Sequence, residues 1–216
     1  MSAGRKHISD KKDWNTPPKY IKLIKKMFGV IDLDPCSNEH SMVDAETKYI
    51  LPINGLVESW DYKRIFVNPP YGRNGDGTTI YDWINKGVES AKLGNEILYL
   101  IPVATNTKHF KNLIFKHANG LCFLEDTRLK FWNNGNEDKK GAPMACCMIY
   151  FGNNYDEFLN VFSAVGKCFK ISAENNDTKK LCSITANGCG FVSGCEALAL
   201  SGWAACTKPL LYAGTG

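Results

Sequence analysis

Tyr20, Leu23, Ile24, Met27 and Phe28 recur at the spacing of a single helical face. Pro17 and Pro18 suit the first turn of that helix, Asn15 or Thr16 can cap it, and Gly29 is placed to end it. Val30-Ile31-Asp32-Leu33-Asp34 then reads as a short strand with acidic residues toward its carboxyl end. Residues 35–60 are mixed, with a loop expected around Pro52-Ile53-Asn54-Gly55. Ile65-Phe66-Val67 reads as a buried strand that runs directly into Asn68-Pro69-Pro70-Tyr71-Gly72. A mobile loop over residues 73–79 follows, because Gly75 and Gly77 lie within it.

Residues 81–93 predict a helix with Ile84, Val88 and Ala91 on its apolar side. The continuous apolar run Ile97-Leu98-Tyr99-Leu100-Ile101 predicts a strand over 96–102 that is buried on both faces. A helix over 108–117 would turn Phe110, Leu113 and Ile114 inward. Strands are predicted at 121–124, 128–131 and 144–151, then a helix at 155–165 and a strand at 168–172. Alternating strands and helices on short connections imply an α/β fold with helices on both faces of a mostly parallel sheet.

Composition narrows the class. The chain has 216 residues, 44% of them hydrophobic and 22% charged, which suits one folded domain rather than a disordered chain. The polar N-terminus lacks an apolar signal core, and no apolar run approaches the roughly 20 residues of a membrane span. A cytoplasmic protein is expected, with no membrane contact. Residues 1–26 carry a net charge of +6, so the remaining residues sum to −2. A basic arm over residues 1–13 fits a phosphate backbone, or it is a solvated tail. The nine cysteines form no zinc pattern, so reduced core cysteines and no metal are expected. Residues 173–216 form a Cys- and Gly-rich tail without an assigned role.

The chemistry sits in Asn68-Pro69-Pro70-Tyr71. The lone pair of an exocyclic amine is delocalised into its ring, which makes the nitrogen a poor nucleophile. Two acceptors aimed at its N–H groups would restore a tetrahedral nitrogen able to attack a sulfonium methyl. The Asn68 amide oxygen and the Pro69 carbonyl can supply both, Pro70 stiffens the loop, and Tyr71 offers a flat face to an extracted base. Ligands of open α/β sheets bind beyond the carboxyl ends of strands, where Asn68 is expected to lie. Asp32 and Asp34 at the first strand end, within Asp32-Leu33-Asp34-Pro35-Cys36, can pair with a cofactor ammonium or ribose hydroxyls, or merely shape a turn. Asp44 and Glu46 are weaker ribose candidates, and Asn54 can meet an adenine or cap its turn.

In order, Trp14-Asn15-Thr16-Pro17, Asp32-Leu33-Asp34-Pro35-Cys36, Asn54-Gly55-Leu56 with Trp60, Asn68-Pro69-Pro70-Tyr71-Gly72-Arg73, Trp83 with Lys86, Pro102-Val103-Ala104-Thr105-Asn106-Thr107 with Phe110, Phe123-Leu124 and Arg128-Leu129-Lys130-Phe131 resemble the phage-type DNA N6-adenine methyltransferases, the Dam-like family. The resemblance spans residues 14–151, within a methyltransferase domain expected over 14–172. It implies a compact Rossmann-like methyltransferase fold, S-adenosylmethionine as cofactor, and double-stranded DNA as partner. It also implies a cytoplasmic setting in a bacterial or prophage context, with or without a restriction system, and a monomer or dimer. Asn68, Pro69, Pro70 and Tyr71 would be catalytic. Trp14, Thr16, Pro17, Asp32, Asp34, Pro35, Cys36 and Asn54 would line the cofactor pocket, and Arg73 and Lys130 would touch substrate. Asn54 stands where the family usually has Asp, and no Gly-x-Gly loop follows the first strand. The short spacing between Asp34 and Asn68 implies a compressed or rearranged sheet. A protein-glutamine N-methyltransferase, or a DNA-binding relative without activity, would carry the same tetrapeptide.

Overall fold

The computed structural model describes residues 14–171 apart from 127, 134 and 140, so the basic arm and the Cys- and Gly-rich tail lie outside the described residues. Helix α1 spans Pro18–Phe28, begins on the two prolines and ends at Gly29, whose φ of 73° favours glycine. Its buried face is Tyr20, Ile21, Ile24 and Phe28, each contributing about 1.5–3 kcal/mol by burial. Strands β1 (Ile31–Ser37), β2 (Ala45–Ile50), β3 (Arg64–Val67) and β4 (Glu96–Pro102) pair in parallel, in the order β2-β1-β3-β4. Helix α2 (Ile80–Lys92) connects β3 to β4 and opens on a reciprocal cap between Thr79 and Asp82.

The sheet continues through β8 (Cys146–Phe151), β5 (Gly120–Leu124) and β9 (Gly166–Lys170), giving seven strands. β8 is antiparallel to both β4 and β5, and β9 is antiparallel to β5, so β8 and β9 alone run against the other five. A π turn at Phe110–Ile114 leads into α3 (Phe115–His117), and α4 (Tyr155–Phe162) precedes β9.

Period-two alternation divides the core between the two faces. Leu98 and Leu100 pack with α1 and α4, through Ile24, Phe28, Phe158 and Phe162. Ile97, Tyr99 and Ile101 face the other way, onto Trp83, Ile84, Phe110 and Ile114. Helices therefore cover both faces of a mostly parallel sheet, a Rossmann-like α/β architecture. Adjacent Cys146 and Cys147 fall into opposite core layers, and the five described cysteines are all free.

The structure departs from the sequence reading at several places, the first being the start of α1, where Pro17 takes the N-cap position and neither Asn15 nor Thr16 caps the helix. β2 is an additional strand at the sheet edge, joined to β1 by residues 38–44, which turn at Glu39–His40, where the Ser41 N–H donates to the Asn38 carbonyl at 3.0 Å, and carry Val43 buried. Parallel neighbours usually need a crossover of a dozen or more residues, so this short return is how the sheet is compressed. Residues 128–131 are not a strand. Leu129 and Phe131 are buried in alternation, but their carbonyls accept from Ala142 and Asp138 in an irregular loop. The short hairpin β6 (Trp132–Asn133) and β7 (Asn136–Glu137) lies beyond them. Within the 73–79 loop Arg73 and Thr79 form an isolated bridge, and the Thr78 hydroxyl donates to Asp76 at 2.7 Å.

Candidate active site

The parallel strands β1, β3 and β4 end on one edge of the sheet, and there they present Asp34-Pro35-Cys36, Asn68-Pro69-Pro70-Tyr71 and Pro102. Residues 14–17, just before α1, close over the same edge. Asn15 and Trp132 exchange backbone hydrogen bonds at 2.8 and 3.0 Å, which ties the segment entering α1 to the one following Phe131.

Asn68 joins these segments. Its Nδ2 donates to the Trp14 carbonyl at 2.8 Å and to the Thr16 hydroxyl at 3.2 Å. A carbonyl can only accept, so the amide orientation is settled by chemistry and Oδ1 faces Tyr71. The Tyr71 hydroxyl lies 2.9 Å from Asn68 Oδ1 and 3.0 Å from the Leu100 carbonyl, and its single proton is shared between the two. Burial pushes the Tyr71 phenol well above its ordinary pKa, which keeps that proton in place at neutral pH. The ring sits T-shaped against Trp14 and Phe131, which stack on each other at 5.3 Å. Pro69 is buried and Pro70 exposed.

Asp34 is the one buried carboxylate among the described residues, 3% exposed. It accepts from the Cys36 N–H at 3.1 Å and from the Ser41 hydroxyl at 3.4 Å. Desolvation raises its pKa to about 6 despite those bonds. Burial, with Asp34 beside it, also pushes the Cys36 thiol up, so it remains neutral. Gly55 docks on the same segment, since a Cβ at this position would stand 2.0 Å from the Pro35 carbonyl oxygen. Trp60 Nε1 donates to the Gly55 carbonyl at 2.8 Å, and Lys86 Nζ donates to the Leu56 and Glu58 carbonyls. The 54–60 loop is thereby clamped between Pro35 and α2.

Several candidates stand apart. Asp32 is held in an ion pair with Arg64, whose backbone N–H and guanidinium both donate to it and whose Nη1 also reaches the Phe28 carbonyl. Asn54 is exposed and caps its own turn, accepting from the Leu56 N–H at 3.0 Å. Asp44 pairs with Lys25, and Glu46 is exposed. Arg73 is exposed on the 73–79 loop. Lys130 is exposed and pairs with Glu137 at 3.1 Å.

Sequence reasoning passed over Asn15, Ser37, Asn38 and Ser41, small polar residues beside the motif residues at the same edge. Asn15 lies between Trp14 and Thr16, so its neighbours were the available signal. A cleft of about 460 Å³ lined by Phe28, Lys63, Arg64 and Glu96 opens at the amino ends of β3 and β4 and takes no part in this arrangement. Among the described residues no group of three or more His, Cys, Asp or Glu is placed to hold a metal, and no helix is long and apolar enough to cross a membrane.

Comparison with curated proteins gives no match. The family model described as DNA N-6-adenine-methyltransferase (Dam) matches residues 4–179, which takes in every motif segment gathered at this edge. The chain belongs to the Dam family of DNA adenine N6-methyltransferases.

Proposed function

We propose that this protein transfers the methyl group of S-adenosylmethionine to N6 of an adenine swung out of duplex DNA, with Asn68 as the principal catalytic residue. The observation that carries this reading is the fixed Asn68 amide, whose Nδ2 is committed to Trp14 and Thr16. Its Oδ1 is thereby pre-positioned as an acceptor, and the amide itself need not turn when an amine arrives. An entering amine displaces the Tyr71 hydroxyl from Oδ1 and leaves it bonded to the Leu100 carbonyl. The Pro69 carbonyl is the second acceptor, and the half-buried Tyr71 and Trp14 supply aromatic surface for the base, with the buried Phe131 packed against both.

The methyl donor fits the residues present. Its methionine portion carries an ammonium, and Asp34 is a buried carboxylate whose raised pKa signals poor solvation that an ammonium would relieve. When bound, S-adenosylmethionine supplies an electrophilic sulfonium methyl. Pro35, Cys36, Thr16 and Pro17 complete the lining, with Gly55 supporting Pro35 from behind. Asp32 is left to its structural ion pair with Arg64 and Asn54 to its turn.

Arg73 and Lys130, both exposed, are the proposed DNA contacts, joined by the basic residues of the N-terminal arm. The test is nucleoside analysis of unmethylated duplex DNA incubated with the protein and S-adenosylmethionine. N6-methyladenine is the expected product. Methylated glutamine in added protein, with none in the DNA, would overturn the reading.

A further inference from the structure

Four buried side-chain polar atoms lack a hydrogen-bond partner among the described residues, and three of them (Trp14 Nε1, Asn15 Nδ2 and Ser37 Oγ) lie in the segments that meet at the carboxyl edge. Native proteins seldom leave such groups unmatched, so each calls for an explanation.

Asn15 is the better defined. The His40 N–H donates to Asn38 Oδ1 at 2.9 Å, so Asn38 must present its Nδ2 elsewhere. That Nδ2 donates to Asn15 Oδ1 at 2.7 Å. The relay leaves Asn15 Nδ2 at the far end of the amide as a donor of fixed direction. The Asn15 backbone is locked to Trp132, and the residue is only 3% exposed, so the amide cannot swing out to water. Ser37, next to Asn38, is 9% exposed. Its hydroxyl lies close enough to Asp34 to favour the ionised carboxylate, yet closes no hydrogen bond of normal geometry.

We infer that Asn15 Nδ2 and Ser37 Oγ bind the carboxylate of the cofactor's methionine portion, while Asp34 takes the ammonium. This rests on the reading of S-adenosylmethionine as methyl donor. Two uncharged donors in the segments that meet at the same sheet edge as one buried carboxylate supply the complement of a zwitterionic amino acid. Pro17 and Pro18 lack N–H groups, so the start of α1 offers an anion no backbone donor at those positions. Its dipole still favours negative charge there. Side-chain donors from Asn15 and Ser37 supply what the prolines withhold.

The test is calorimetric binding of S-adenosylmethionine and of its decarboxylated analogue to the full chain and to the variants Asn15→Ala, Asn15→Asp and Ser37→Ala. Thermal unfolding is recorded beside each titration. The unaltered protein is expected to bind the carboxylated form roughly tenfold or more tightly than the analogue. Asn15→Ala and Ser37→Ala should each shrink that ratio by weakening the carboxylated ligand alone, and Asn15→Asp should abolish or invert it. Equal binding of the two ligands by the unaltered protein overturns the inference. So does an equal loss for both ligands in Asn15→Ala and Ser37→Ala, the signature of a merely structural role. Should Asn15→Ala fail to fold, Ser37→Ala decides the matter alone. Failure of the unaltered protein to bind either ligand overturns instead the methyl-donor reading beneath it.

Discussion

Asn68 reaches back to Trp14 across 54 positions of sequence, donating its side-chain amide to the Trp14 carbonyl at 2.8 Å. The contact fixes which end of the amide faces the aromatic cluster, and Thr16 Oγ1 takes the second Nδ2 proton at 3.2 Å. Thr16→Val keeps the volume and removes that acceptor in a buried position. A donor left unmet there costs about 1–3 kcal/mol. We expect stability to fall by that order in denaturant titrations and single-turnover methylation to slow. An indistinguishable variant would show that Thr16 does not hold the amide.

Tyr71 separates two contributions. Tyr71→Phe keeps the ring against Trp14 and Phe131 and removes only the shared hydroxyl proton. A fall in stability of about 1 kcal/mol is expected, with little change in base binding. Tyr71→Ala removes the stacking surface. Base–aromatic stacking contributes about 1–3 kcal/mol, so 2-aminopurine fluorescence at the target position should report roughly tenfold weaker base capture. Equal effects from the two variants would argue against stacking.

Gly55→Ala places a methyl 2.0 Å from the Pro35 carbonyl oxygen, a backbone atom that cannot rotate away. The 54–60 loop or the Pro35 segment must move, at about 1–3 kcal/mol. Cofactor affinity should drop while the rate at saturating cofactor changes little, because Asn68 belongs to another strand. Unchanged affinity and stability would mean that the loop does not support the pocket.

Much of the scaffold is legible in the sequence because burial writes a period into it. Helix α1 follows from the apolar face of Tyr20, Ile24 and Phe28, and β4 from five consecutive apolar residues that are all fully buried. Asn68 at a strand end is equally direct. β2 was missed because an edge strand paired only to β1 leaves most of Ala45–Ile50 exposed or half-buried, and no apolar run marks it. Residues 128–131 misled because alternation reports burial, and burial does not require a ladder partner. The cofactor side was harder to read. Asp32 and Asp34 stand two residues apart in one strand, and the ion pair that Arg64 makes to Asp32 comes to light only once β3 lies beside β1.

Asp34 sets a pH dependence. Its folded pKa of about 6 lies above the ordinary carboxylate value of 3.8, so the folded state holds this proton more tightly than the unfolded chain. The stabilising contribution is fully present below pH 4 and declines as pH rises to about 6, on the order of 3 kcal/mol in all. Binding of a cationic ammonium runs the other way, strengthening as Asp34 ionises. Cofactor affinity should rise between pH 5 and 7 in calorimetric titrations, and Asp34→Asn should bind weakly with no such rise. A pH-independent affinity in the unaltered protein would remove Asp34 from the ammonium site.

The most direct test of the central claim compares the protein with its Asn68→Ala variant in transfer of a tritiated methyl group from S-adenosylmethionine to unmethylated duplex DNA, with cofactor binding measured in parallel. The account predicts label at adenine N6 with the unaltered protein. For Asn68→Ala it predicts a loss of at least about a hundredfold with cofactor affinity within a few-fold. Near-normal labelling by Asn68→Ala, or no label in DNA from an unaltered protein that binds the cofactor, would contradict it.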